Sequence, residues 1–144
     1  MSLTLGNKRM YAEKLYSKEI FTNTLRLRLL KNGIIHYTYI ASAEVDEEDH
    51  LANHKALLEI AEEGKKYPLL VDSEEFIVLT PEAQRLVRKL EPLIPVTCRA
   101  LVVKSMSQRI LSNFYIKFHK PYIPTHIFAT HKEALEWIES RKES

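Results

Sequence analysis

Hydrophobic and polar positions along this chain change period several times, and each change marks an element. Leu25, Leu27 and Leu29 alternate with Thr24, Arg26 and Arg28, the period of two expected of a half-buried strand. Asn32-Gly33 follows, a pair that tolerates the positive φ angles of a type I′ turn. Residues 34–40 are then rich in β-branched and aromatic side chains, so the three pieces predict a β-hairpin. From residue 46 to 63 the period lengthens to that of a helix. Leu51, His54, Leu57, Leu58 and Ala61 share one face, Asp46, Glu47, Glu48 and Asp49 suit the positive end of the helix dipole, and Gly64 is a stop.

Residues 67–71 form a short apolar run with Pro68 near its start, where a missing donor is tolerated, and residues 76–79 add a brief extended piece. Three helices follow, each with its own start signal. Thr80-Pro81-Glu82 places a cap and a first-turn proline before Ala83, Leu86, Val87 and Leu90. Ser105-Met106-Ser107-Gln108 is a capping-box pattern leading to Met106, Ile110, Leu111, Phe114 and Phe118. Thr130-His131-Lys132-Glu133 is another, leading to Ala134, Leu135 and Ile138. Strands at 98–103 and 125–129 lie between them.

The predicted order is β-β-α-β-α-β-α-β-α. Strands alternating with helices imply an α/β fold with a mixed, mostly parallel sheet, an N-terminal hairpin antiparallel at one side, and about four helices. Residues 1–22 are read as an N-terminal arm or short helix, with Tyr11, Leu15, Tyr16, Ile20 and Phe21 able to pack. Residues 23–144 are read as one domain, since no internal repeat or low-complexity segment interrupts them.

Composition narrows the classes. With 45% hydrophobic and 28% charged residues, 144 residues can close one core. A single cysteine, Cys98, excludes an internal disulfide framework and fits a reducing compartment. No run approaches the ~18 apolar residues of a membrane span, and the N-terminal residues lack the apolar stretch of a secretory signal, so a cytoplasmic location is expected.

Net charge is +2, too small to indicate nucleic acid, but its distribution is uneven. Residues 32–91 hold six Lys/Arg against thirteen Asp/Glu, whereas residues 92–132 hold six basic residues and no acid. The basic stretch reads either as an anion or partner surface or as the complement of the acidic helix.

The order of elements over about residues 24–141 resembles the SpoIIAA-like fold, the group that holds STAS domains. The most specific part is Ser107-Gln108-Arg109-Ile110-Leu111-Ser112-Asn113-Phe114-Tyr115-Ile116-Lys117-Phe118-His119-Lys120-Pro121. It continues in Pro124-Thr125-His126-Ile127-Phe128-Ala129 and Ala134-Leu135-Glu136-Trp137-Ile138. This run is similar to the end of small STAS-like proteins of unassigned function. The resemblance implies a non-catalytic regulatory or protein-interaction module, with a homodimer expected. The anti-sigma-antagonist branch is switched by phosphorylation of a serine in an Asp-Ser-Ser-Gly-like motif. Here the matching region, residues 72–83, lacks that motif and has proline where the acceptor belongs. Thr80 is the nearest hydroxyl, and helix capping accounts for it.

Candidate chemistry is sparse. His50 and His54 stand four apart on a helix, a spacing that suits one metal ion, but Leu51 stands where a zinc protease has glutamate and no third ligand has a distinctive spacing. No metal or other cofactor is therefore expected. Cys98 opens an interior strand and reads as a core thiol. Asp72, Glu74 and Glu75 are carboxylates at a strand end with nothing in sequence to pair them. No nucleophile triad or Gly-rich phosphate loop is visible, so an enzyme is not expected.

The strongest candidate site is an anion site at Lys104, Ser105, Ser107, Gln108 and Arg109, where free N–H groups at a helix start stand beside two cations. Asp72, Ser73, Lys104, Ser105 and Thr130 are placed at strand carboxyl ends, where open α/β sheets take ligands. Plain helix capping with solvated charges is the competing account. The aromatic run Phe114, Tyr115, Ile116, Phe118, Tyr122, Ile123 and Ile127 reads as core, or as a dimer surface or lipid-lined cavity if the second sheet face is left uncovered. Some relatives of the fold carry lipids, so a small-ligand or lipid carrier is the alternative function.

Overall fold

The alternating leucines of residues 25–29 lie near one side of a six-stranded sheet. The computed structural model describes residues 15–40, 43–73 and 77–142. The strands are β1 (Tyr16–Phe21), β2 (Leu25–Leu30), β3 (Ile35–Tyr39), β4 (Ala43–Val45), β5 (Tyr67–Ser73), β6 (Ile77–Leu79), β7 (Val96–Val102) and β8 (Thr125–Phe128). The helices are α1 (Glu47–Ile60), α2 (Pro81–Leu90), α3 (Met106–His119) and α4 (His131–Lys142), with a 3-10 turn at Glu91–Leu93. The main sheet has the order β1-β2-β3-β5-β7-β8; β1, β2 and β3 pair antiparallel and β3, β5, β7 and β8 parallel. Strands β4 and β6 form a separate parallel pair.

Both faces of the sheet are built by alternation. Leu25, Leu27 and Leu29 of β2, Ile35 and Tyr37 of β3, and Leu69 of β5 point to one face, where Ala56, Leu57 and Ile60 of α1 close over them. Ile34, Leu70, Ala100 and Val102 point to the other, under Ala134 and Ile138 of α4. A parallel sheet covered on both faces needs apolar residues at successive positions, which is why residues 69–71 read as a continuous run. Each fully buried aliphatic side chain contributes about 1.5–3 kcal/mol. Pro68 sits at an irregularity in the β5–β7 register, so its missing N–H costs no regular ladder bond.

The differences from expectation have physical causes. Tyr16–Phe21, read as part of an arm or short helix, is a strand: its backbone pairs with β2, and Ile20 packs against the core. Residues 1–14 lie outside the described residues. The hairpin turn is not type I′. Gly33 N–H donates to the Leu30 carbonyl at 3.0 Å, Leu30 N–H donates to the Ile34 carbonyl at 2.8 Å, and only Gly33 has positive φ, at 86°. That is a three-residue loop with the left-handed residue last, so glycine is needed at one position rather than a positive-φ pair at two.

Helix α1 is rotated relative to the expected stripe. Leu51 and Leu58 are 40% and 49% exposed, whereas Asn53 is buried with Ala56, Leu57 and Ile60. Asn53 is accommodated because its Nδ2 donates to Thr24 Oγ1 at 3.0 Å and its Oδ1 accepts from Thr22 Oγ1 at 2.5 Å. The helix starts on a capping box, with Asp46 and Asp49 each accepting from the other's backbone N–H. Among the described residues no helix is long and apolar enough to cross a membrane.

Candidate functional site

The parallel strands β3, β5, β7 and β8 all end at the same edge of the sheet, as their shared direction requires. There α2 and α3 flank a groove of about 930 Å³. Its floor is Val71 and Ser73 of β5, Arg99 and Leu101 of β7, and Tyr39 of β3. Val87 of α2 lies on one wall and Leu111 and Ile116 of α3 on the other, with Leu79 and Tyr122 also lining the space. A pocket of this size, mostly apolar with a few convergent polar groups, is the usual form of a small-ligand site.

The polar groups on the floor are largely committed to one another. Arg99 forms an ion pair with Glu91, which is only 4% exposed, and donates through Nε to Thr125 Oγ1 at 3.3 Å. A buried carboxylate needs such a partner, because isolating the charge in the interior costs several kcal/mol, about 3–5. Burial pushes the Tyr39 hydroxyl up to about 12, with Arg99 opposing, so it stays a neutral phenol at the groove.

The predicted anion-site residues are divided by this geometry. Lys104, Ser105 and Gln108 line the groove, with Lys104 exposed. Ser105 caps α3, its Oγ accepting from the Gln108 N–H at 3.4 Å and lying 3.0 Å from Ser107 Oγ. Arg109 turns back on the chain: its guanidinium donates to the carbonyls of Val103 and Lys104 at 2.9 and 2.7 Å. Of the two cations at this helix start, one faces the groove and the other ties the end of β7 to α3.

Thr80 accepts from the Ala83 N–H at 3.1 Å and caps α2. His50 is pushed down to about 4, first by burial and then by His54 and Arg99; burial lowers His54 as well. Cys98 is buried. Met106, Ile110 and Leu111 of the α3 stripe are each more than 60% exposed, and Tyr122 is 72% exposed. Ile123 from the same run is core. The side chains of Phe114, Tyr115 and Phe118 lie outside the described residues, as do Glu74, Glu75 and Phe76.

A second cluster, absent from the sequence reading, centres on Asp72. His36 Nε2 lies 3.1 Å from Asp72 Oδ2, and His131 Nε2 hydrogen-bonds the same oxygen. Thr38 Oγ1 is 3.4 Å from His36 Nε2. The parallel register sets Thr38 beside Asp72 and His36 one step earlier on the same face, while His131 opens α4 directly after its Thr130 cap. Burial by itself raises the Asp72 carboxyl, but the hydrogen bonds from His36 and His131 outweigh it and hold the group well below the usual carboxylate range. The other oxygen, Oδ1, is buried, and the hydroxyl of Thr38 acts on the same carboxylate. In the sequence only the position of Asp72 at a strand end hinted at this, since its partners lie 36 and 59 residues away.

Comparison with known proteins agrees with this fold. The chain is similar to the crystal structure of an uncharacterized protein of the DUF3478 family from Shewanella loihica PV-4, which has a SpoIIAA-like fold. The TM-score is 0.52 at 18% sequence identity, over 83% of this chain and 98% of that one. The resemblance read from the order of elements is thereby shown at the level of fold. No curated protein matches the chain. Residues 28–142, from the hairpin to the last helix, match a family described as a domain of unknown function, and the chain belongs to that family, DUF7793.

Proposed function

We propose that this protein is a binding module that holds a small amphipathic ligand, an apolar chain with an anionic head, in the groove between α2 and α3. The observation that supports this reading is the groove itself: about 930 Å³ of space lined by Val71, Val87, Leu101, Leu111 and Ile116, with Lys104 and Ser105 at one end. Apolar surface turned toward such a space is most favourably covered by an apolar ligand, at about 25 cal/mol per Å² removed from water. Lys104 and the N-terminus of α3 favour negative charge at that end. Arg99, paired with Glu91, adds no net charge to the floor.

The test is a titration of delipidated protein with a fluorescent fatty acid, with native mass spectrometry of the untreated protein. Saturable one-to-one binding is expected, weakened at least about tenfold by Leu111→Glu, which places a charge against the chain. Lys104→Glu weakens binding of the carboxylate and not of the matching alcohol. Absence of saturable binding at every chain length overturns the reading. The exposed Met106 and Ile110 beside the groove also favour a second reading, docking of a protein partner on α3. Under that reading fatty acid does not bind, and Ile110→Glu abolishes capture of one identified partner.

A further inference from the structure

We propose that His36, Asp72 and His131 form a binding site for a divalent transition metal ion of the zinc class. One Nε2 or carboxylate oxygen from each residue lies within 4.8 Å of the other two. A tetrahedral zinc ion bound at about 2.0–2.1 Å sets its ligand atoms about 3.3 Å apart. The His36–Asp72 separation of 3.1 Å is already at that spacing, and His131 is in hydrogen-bond contact with the same carboxylate.

Both imidazoles converge on one oxygen of Asp72, Oδ2, with Thr38 directly opposite on the paired strand also hydrogen-bonding this carboxylate. A metal ion uses the same convergence directly. It accepts a lone pair from each neutral imidazole and draws the negative charge that Asp72 retains. The two rings meet edge to face, with centroids 6.2 Å apart and planes at 82°, so both nitrogens can point at one centre without the rings colliding.

The scaffold suits the task. Two ligands come from adjacent paired strands and the third from the first residue of a capped helix, so the backbone holds all three in place before any ion arrives. Two nitrogen ligands and one carboxylate match the borderline character of zinc, with cobalt as its spectroscopic substitute. Three protein ligands leave at least one coordination position for water or another ligand, the arrangement of open rather than purely structural zinc sites. His131 is partly exposed, which gives the ion a route in. The half-buried helical pair His50 and His54 has no third ligand near it among the described residues.

The full-length chain, stripped with a chelator and dialysed, is titrated with Zn²⁺ alone by calorimetry and with Co²⁺ alone by visible absorption. One equivalent is expected to bind, with a Co²⁺ spectrum of four or five coordination and a Zn²⁺-dependent rise in melting temperature. His131→Ala keeps the Thr130 cap and removes one ligand, and it is expected to weaken Zn²⁺ binding at least about 100-fold with an unchanged circular dichroism spectrum. Asp72→Asn, which preserves volume, is expected to do the same. The double variant His50→Ala/His54→Ala and the groove variant Leu111→Glu are expected to bind as the native chain does. Folded native protein that takes up neither ion at about 0.1 mM overturns the proposal. So does binding that survives His131→Ala or is lost with the His50/His54 pair.

Discussion

Helices α1 and α3 are each fourteen residues long, and each starts on a side-chain cap, Asp46 in one and Ser105 in the other. Their surroundings differ. Helix α1 lies over β1 and β2 and presents Ala56, Leu57 and Ile60 to the leucines of β2, and all of these are buried. Helix α3 packs against β8, a four-residue strand at the edge of the sheet, and leaves Met106, Ile110 and Leu111 mostly exposed. Apolar residues on a helix supply a drive for burial, but what they are buried against depends on the neighbour. Where the neighbour is the broad part of the sheet, the result is core. At the edge, the same chemistry leaves a groove with an apolar wall.

The largest effect expected from this contrast is in α1. Ile60 is fully buried, so Ile60→Ala is expected to lower the unfolding free energy by about 2–5 kcal/mol in urea denaturation, through lost burial and the cavity left behind. A loss under about 1 kcal/mol would place α1 on a loosely packed face like that of α3.

A pH effect of similar size sharpens the comparison. His50 of α1 is held neutral by burial, with a folded-state value of about 4 against an ordinary 6.5. As pH falls below 6.5 the unfolded chain takes up this proton while the folded chain refuses it. Stability contributed at neutral pH is therefore lost between pH 6.5 and 4, by up to about 3 kcal/mol, and the loss levels off below that window. The groups that act on His50, after burial itself, are His54 and Arg99. His50→Gln is expected to flatten that part of the stability profile, measured as the difference from the native chain at each pH. Parallel profiles for the two proteins would show that His50 is not shielded from water.

The smallest effect belongs to α3. Leu111 is 63% exposed on the groove wall, so Leu111→Ala is expected to change stability by less than about 0.5 kcal/mol. A cost comparable to that of Ile60→Ala would mean that α3 is covered in solution, and the groove closed.

Local patterns carried much of the architecture. The alternation at Leu25, Leu27 and Leu29, the caps at Thr80, Ser105 and Thr130, and the strands around Leu69 and Ala100 all sit where the periods place them. These signals arise within one element, so neighbouring residues suffice to read them. The buried face of α1 departs from its apolar stripe because Thr22 and Thr24, distant in sequence, satisfy the polar Asn53. Three of the five predicted anion-site residues, Lys104, Ser105 and Gln108, line the groove, since a helix start after a parallel strand has a known place in such folds. Arg109 showed no sign in sequence of turning back to two carbonyls.

Taken alone, the chain's residues determine the strand and helix periods, the caps, the place of the hairpin turn at Gly33, and the largely parallel α/β class that follows from their order. Tertiary structure alone decided that His36, Asp72 and His131 meet, and that α2 and α3 stand apart over the sheet. The reason is distance along the chain. A hydrogen-bonded turn or an amphipathic face is set by residues within a few positions, whereas a site is made by side chains that only strand pairing and helix packing bring within reach of one another.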